Sequence, residues 1–298
     1  MKSMKTIRLR RFRATVENAF GKALAGRWIA GTRLRDAIAK AEELNARRES
    51  AIINYLGGDL TDRWDVAETV SSYQRLVREI AHTGVDASIS VRMTQLGLRI
   101  SRGLARRNYE SIANLARRHG IFTWLEMEAS DTVDATLSVY ERQLKRKGSV
   151  GVCLQACMRR TEQDVRRLAE KGAVIMLVKG VCRGGGRLAF TKSKDINANY
   201  IRLMNYLFRN AGEFAIATHD REIVRQAMDL NRSYRRKVTY GMFGGVRDRY
   251  AEELAGVGNR VSIYVPFGRK WKRHVLGSNK KAPRASSGGR GRARKFPR

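Results

Sequence analysis

The chain has 298 residues, enough for one large domain, and carries 60 Lys and Arg against 28 Asp and Glu, a formal net charge of +32. No run reaches the ~18 to 20 apolar residues that a membrane helix needs, and no signal-peptide pattern opens the sequence. Three cysteines, Cys153, Cys157 and Cys182, are too few for a disulfide framework, and the four histidines are scattered without ligand spacing, so neither a metal site nor a secreted scaffold is expected.

The basic charge gathers at the ends. Residues 1–13 hold Lys2, Lys5, Arg8, Arg10, Arg11 and Arg13 with no acid, and residues 269–298 hold twelve Lys or Arg, again with no acid. Such charge speaks to partners and solubility rather than to fold. From Lys280 onward there is too little apolar content to bury. The expected organisation is a basic segment over 1–14, one folded domain over 15–276 and a disordered basic tail over 277–298.

A helical preface runs from Thr15 to Arg48, with Leu24, Trp28, Leu34, Ala37, Ile38, Ala41 and Leu44 at mostly helical spacing. Gly31-Thr32 divides it into two helices, expected to cap the bottom of the fold or pack outside it. Eight short apolar runs follow, each trailed by a helix-length amphipathic stretch. They are Ile52–Leu56, Ser88–Val91, Phe122–Leu125, Val150–Leu154, Val174–Val178, Phe214–Ala217, Val238–Met242 and Val261–Val265. Most are continuously apolar, as parallel strands buried on both faces require. Eight βα units predict an α/β fold, a closed (β/α)8 TIM-type barrel with N-terminal helices, whose chemistry sits where strands end and βα loops begin. The seventh run is the weakest, because Gly241, Gly244 and Gly245 lower its strand character.

The crossovers carry start and stop signals. A helix opens near Thr61-Asp62 and closes at Gly84, with Val66, Val70, Tyr73, Val77 and Ile80 on one face. Thr161-Glu162-Gln163-Asp164 has the pattern of a capping box with Thr161 as acceptor, and Gly172 ends that helix. Ile196, Tyr200, Leu203 and Leu207 form a further stripe, stopped by Gly212.

Polar residues cluster where the runs stop: Arg92, Thr94 and Gln95, then Glu126 and Glu128, Gln155, Lys179 and Thr218-His219-Asp220, with Tyr264 inside the eighth run. In a barrel these converge on one mouth. Acids are few and histidine ligands absent, which does not suit metal-assisted hydrolysis. Gln, Lys, Thr and His donors suit an electron-rich planar cofactor, and Gly184-Gly185-Gly186 could let a loop approach phosphates.

At these residues the chain resembles the proline dehydrogenase family, flavoenzymes with a distorted (β/α)8 barrel that oxidise L-proline with FAD. The matching segments are Asn54–Gly57, Ser90–Gly97, Val152–Ala156, Leu177–Gly180, Ala217–Asp220 and Tyr264–Gly268, in order between about Ala25 and Trp271. The resemblance implies that Gln155 hydrogen-bonds the isoalloxazine ring, that Lys179, Gly180 and Val181 lie beside the ribityl chain and phosphates, and that Thr218, His219 and Met127 contact FAD. It also implies Glu126 in the place of the active-site aspartate, Arg92 in the place of a lysine that pairs with the substrate carboxylate, and Tyr264 on the substrate. Arg for Lys exchanges a point charge for a planar fork. Met176 replaces an arginine near the flavin N5, Cys182 a tyrosine, and Gly241 and Gly244 a glutamine and a tyrosine. Where the family has a Tyr-x-x-Arg-Arg motif whose arginines grip the carboxylate, this chain has His274–Ser278.

Two functions follow as expectations. One is FAD-dependent oxidation of L-proline or a related cyclic secondary amine to the imine 1-pyrroline-5-carboxylate, by hydride transfer to flavin N5, with electrons passed to a quinone. The other is a flavin-binding barrel without proline turnover, with a regulatory role or binding nucleic acid or an anionic surface through its basic tails; of these partners nucleic acid is not favoured. A cytoplasmic location, with peripheral contact at the inner face of a membrane, accompanies the first.

Overall fold

The computed structural model describes residues 28–146, 149–180 and 186–269. The expectations for Leu24, Val181, Cys182, the basic segment over 1–14 and the tail over 277–298 lie outside these residues.

Each apolar run forms a strand, and the eight close into a parallel barrel in sequence order. The strands are β1 (Ser50–Tyr55), β2 (Ala87–Arg92), β3 (Thr123–Glu126), β4 (Val150–Gln155), β5 (Val174–Val178), β6 (Glu213–Ala217), β7 (Lys237–Phe243) and β8 (Arg260–Phe267). β1 pairs with β8 from Ser50↔Ser262 to Tyr55↔Phe267, which closes the ring. The glycine-weakened seventh run is a full strand: Gly241 lies in register with Ala217 on one side and Ser262 on the other. Pairing on both flanks supplies what local propensity lacks.

Eight helices are described. α1 (Leu34–Ala46) precedes β1, and seven crossovers follow: α2 (Arg63–Thr83), α3 (Arg102–Arg118), α4 (Val133–Lys145), α5 (Thr161–Glu170), α6 (Ser193–Asn210), α7 (Arg221–Tyr234) and α8 (Asp248–Gly256). α1 packs outside the barrel against β1 and β8 through Ala37, Ile38, Ala41 and Leu44. Its entry turn is set by Gly31, whose φ of +151° lets the Asp36 carboxylate fold back onto the backbone N–H groups of Thr32 and Arg33. α2 starts and stops as the sequence predicts. Asp62 accepts from the N–H groups of Trp64 and Asp65, and Gly84 closes the helix in the left-handed region.

One local expectation fails. Thr161 is not a capping acceptor; its hydroxyl donates to the carbonyl of Gln155 at 2.6 Å, and α5 has no side-chain cap. The capping-box pattern is local, and a strand-end carbonyl six residues upstream outcompetes it.

The core has two layers. Between barrel and helices lie residues such as Ile53, Tyr73, Leu76, Tyr109, Tyr140, Tyr200, Leu207 and Phe208. Inside the barrel, Ile52, Trp124, Cys153, Met176 and Ala215 pack together. Trp124 takes so much of this interior that a Cβ at Gly151 would come within 2.3 Å of its ring. The interior is therefore filled, and polar chemistry is confined to the strand ends above it.

Candidate active site at the mouth of the barrel

The parallel register places Arg92 opposite Glu126 at the last rung between β2 and β3. Their side chains, 21% and 14% exposed, form an ion pair with Arg92 Nε donating to Glu126 Oε2 at 2.5 Å. The other oxygen, Oε1, accepts from Ser90 Oγ and from Tyr264 Oη, each at 2.6 Å, and from Asn54 Nδ2 at 3.5 Å. Burial pushes the Glu126 carboxyl up, but the Arg92 charge and these donors outweigh it and hold the group below the usual carboxylate range. Burial and the neighbouring Glu126 charge push the Tyr264 phenol far above its ordinary value, so it stays protonated and donates. The carboxylate expected to act on substrate is the hub of this network. Arg92, expected to meet a substrate carboxylate, already faces a carboxylate of the protein.

A second set of donors occupies the ends of β4, β5 and β6. Gln155 Nε2 donates to the carbonyls of Met127 at 2.8 Å and Glu128 at 3.3 Å, which ties β4 to the buried Met127 segment. Lys179 Nζ donates to Asp220 at 3.0 Å, while the other oxygen of Asp220 caps the N-terminus of α7. An ammonium has three donors, so one bond to Asp220 orients Lys179 without consuming it. Gly180 takes a φ of +81°, and a Cβ there would sit 2.7 Å from Gln155 Cβ and from Cys157 Sγ. Only glycine lets the chain turn this close to Gln155. Thr218 is buried, and its Oγ1 accepts from the N–H of Asp220 at 3.1 Å.

His219 carries the most specific sign of a ligand. Burial and the Arg247 charge lower its pKa, which leaves the ring neutral. The N–H of Phe243 donates to Nε2 at 3.1 Å, so the ring proton sits on Nδ1. Nδ1 is buried and, among the described residues, has no hydrogen-bond partner. An unmade bond of this kind costs roughly 1 to 3 kcal/mol, which an acceptor on a bound molecule would offset. Phe243 stacks on His219 and meets Tyr264 edge-on, so the two halves of the mouth join through one exposed aromatic ring.

Asn54 and Ser90 carry no expected role, yet both serve Glu126. Asn54 also donates to the carbonyl of Ser90 at 2.8 Å, as does Tyr73 Oη at 2.8 Å. Their signal was available: each is a polar residue inside an otherwise apolar buried strand, where an unpaired amide or hydroxyl is costly. Among the described residues, no group of three or more His, Cys, Asp or Glu could hold a metal ion.

Comparison with known proteins finds relatives in both sequence and fold. A sequence model of the family described as Proline dehydrogenase matches residues 37–180. Proline dehydrogenase 1 of Bacillus subtilis subsp. natto is 26% identical over 257 residues, 85% of each chain. The Proline dehydrogenase of Deinococcus radiodurans is 26% identical over 257 residues, 83% of each chain. Among solved structures, proline utilization A from Bdellovibrio bacteriovorus, inactivated by N-propargylglycine, superposes with a TM-score of 0.78 at 20% identity over 89% of this chain. Proline utilization A from Corynebacterium freiburgense gives 0.73 at 18% identity over 94%. This chain spans about a third of each of those two longer chains, 33% in both cases. Sequence relatives matched over 83 to 85% of both chains, a family pattern over residues 37–180, from α1 to the end of β5, and the same closed fold make this chain similar to the proline dehydrogenase family.

Proposed function

We propose that this protein is an FAD-dependent oxidoreductase acting on the CH–NH group of L-proline or a closely related cyclic secondary amine. The observation that carries the reading is the convergence, on one barrel mouth, of the Arg92–Glu126–Tyr264 network with the donors Gln155, Lys179 and His219. The donor set fits the cofactor. The unpartnered Nδ1–H of His219 suits an anionic or carbonyl acceptor, Lys179 suits a phosphate, and Gly180 allows close backbone approach. Thr218 and Met127 complete the surface against which the cofactor would rest, and Val181 follows in the proposed assignment.

Bound FAD would supply the two-electron acceptor that conversion of proline to 1-pyrroline-5-carboxylate needs. The protein supplies orientation and a fixed field. Glu126 stays ionised because Arg92 compensates it, so the pair presents a nearly neutral polar wall rather than a free charge. The Tyr264 hydroxyl is locked on Glu126, which fixes its ring against the substrate side. Phe243 and the filled barrel floor, with Met176 and Trp124, restrict water from below and from one flank.

A second reading, a flavin-binding barrel without proline turnover, is favoured by the engagement of Arg92 by Glu126. The visible spectrum of purified holoprotein before and after anaerobic L-proline separates the two. Flavin bands that bleach support the dehydrogenase, bands that persist support the second reading, and absence of flavin bands after incubation with FAD overturns both. In the dehydrogenase reading a quinone accepts the electrons, with the protein in the cytoplasm and in peripheral contact with a membrane. No helix among the described residues is long and apolar enough to cross one.

A further inference from the structure

One half-buried acid at the mouth has no part in the proposed reaction. Glu128 lies two residues beyond Glu126, and its carboxylate accepts twice from Thr94: Oε1 from Oγ1 at 2.5 Å and Oε2 from the backbone N–H at 3.0 Å. Its own carbonyl accepts from the Gln155 amide. The backbone ladder between β2 and β3 ends at Arg92↔Glu126, and that between β3 and β4 ends at Leu125↔Val152. Past those rungs, side chains continue the pairing. Thr94–Glu128 forms the next rung beside Arg92–Glu126, two residues further along both chains, and Gln155 stitches β4 to the same segment.

The arrangement has a purely architectural use, since Thr94 lies in the 3-10 turn Met93–Leu96, whose early N–H groups need acceptors. That use alone does not require the acceptor to share a segment with both halves of the site. Displacing Glu128 shifts Glu126 through two backbone residues, and it shifts the Gln155 amide through the carbonyls that orient it. Burial holds the Glu128 carboxyl above the usual range, so the site maintains it at a desolvation cost.

We propose that Glu128 is a positioning residue for the reaction, holding the Arg92–Glu126 pair on the substrate side and the Gln155 amide on the cofactor side in one frame. This rests on the functional reading above and adds a residue to it.

The test compares the holoenzyme forms of Glu128→Ala, Glu128→Gln, Thr94→Val and Thr94→Ser with wild type. Measured are flavin per chain, the visible flavin spectrum, and kcat and KM for L-proline expressed per bound flavin. Asp62→Ala, which removes only the cap of α2, serves as a destabilised control. Glu128→Ala is expected to lower kcat per flavin by about tenfold to a hundredfold, the scale of a misplacement near 1 Å. It should also shift the flavin bands; Thr94→Val should repeat the shift and Thr94→Ser should not. Glu128→Gln, which keeps size and one acceptor, should fall between and carries the test if Glu128→Ala does not fold. Loss of flavin content or Tm with unchanged kcat per flavin and unchanged bands, as expected of Asp62→Ala, would mean an architectural role only and overturn the proposal. If wild type binds flavin but L-proline does not reduce it, the substrate reading fails while the band shift still decides on Glu128. A wild type that takes up no flavin overturns both.

Discussion

At the scale of single residues, the site is a problem in charge compensation. Arg92 and Glu126 are each tolerable at the mouth because the other is present, and Ser90, Tyr264 and Asn54 satisfy the remaining lone pairs. Removing one partner strands a desolvated charge. Arg92→Met should therefore destabilise the protein by about 3 to 5 kcal/mol in urea unfolding. Adding Glu126→Gln should recover most of that loss, since the amide can still accept from Ser90 and Tyr264; single and double variants of equal stability would show that the pair is not coupled. The same compensation bears on substrate choice. A charge-assisted contact of about 2 to 3 kcal/mol corresponds to a roughly 30- to 150-fold change in Kd, and Arg92 has already directed its Nε at Glu126. Rates of flavin reduction by L-proline and by pyrrolidine at equal low concentration should then differ by less than about tenfold, well short of the full contact. A preference for L-proline of a hundredfold or more would require another cation to complete the site. The residue types at strand ends were legible in the sequence, because polar groups that interrupt apolar runs have few structural reasons to be there. Their partners were not: Glu126 and Tyr264 are 138 positions apart, and no local pattern encodes that bond.

At the scale of elements, sequence signals succeeded where the deciding contacts are local and failed where they are not. Asp62 and Gly84 bound α2 through bonds to their own helix, so composition predicts them. Thr161 has the same local pattern and does something else, because the end of β4 offers a better acceptor. The link between α1 and β1 holds a second unadvertised feature. Glu49 is buried as the chain enters β1, on the side of the barrel opposite the mouth. Burial raises its pKa from 4.5 to about 7, with Glu252 and Asp248 adding to the shift and Arg47 and Lys40 opposing it. The sign follows from proton binding. Between 4.5 and about 7 the folded state holds a proton that the unfolded state has released, so stability falls as pH rises through that window and stays lowered above it. Glu49→Gln cannot ionise and should avoid the loss. Its stability relative to wild type should rise across this window, by on the order of 2 kcal/mol at pH 8, in denaturant titrations repeated at each pH. A difference independent of pH would place the ionisation elsewhere.

At the scale of the molecule, the barrel was readable because its strands are buried on both faces, which writes each as a continuous apolar run instead of an alternating one. Closure leaves no edge strand, and it joins β1 to β8 across the whole chain. The extreme charge of +32 gave no comparable guide, since charge constrains association more than architecture. Closure has a thermodynamic consequence for the proposed cofactor. The candidate site draws on the ends of β2, β3, β4, β5, β6 and β8, so no sub-part of the barrel contains it. FAD should therefore bind the folded ring and have little affinity for any partly opened form. Free FAD at a hundred times its Kd should stabilise the protein by about 2.7 kcal/mol, and flavin release should coincide with global unfolding. Flavin fluorescence and far-UV circular dichroism, followed on one heating ramp, should give superimposable transitions that both move upward with FAD concentration. Release of flavin well below the loss of helical signal would mean that the site can come apart while the barrel stands, and that fewer strands hold the cofactor than the geometry implies.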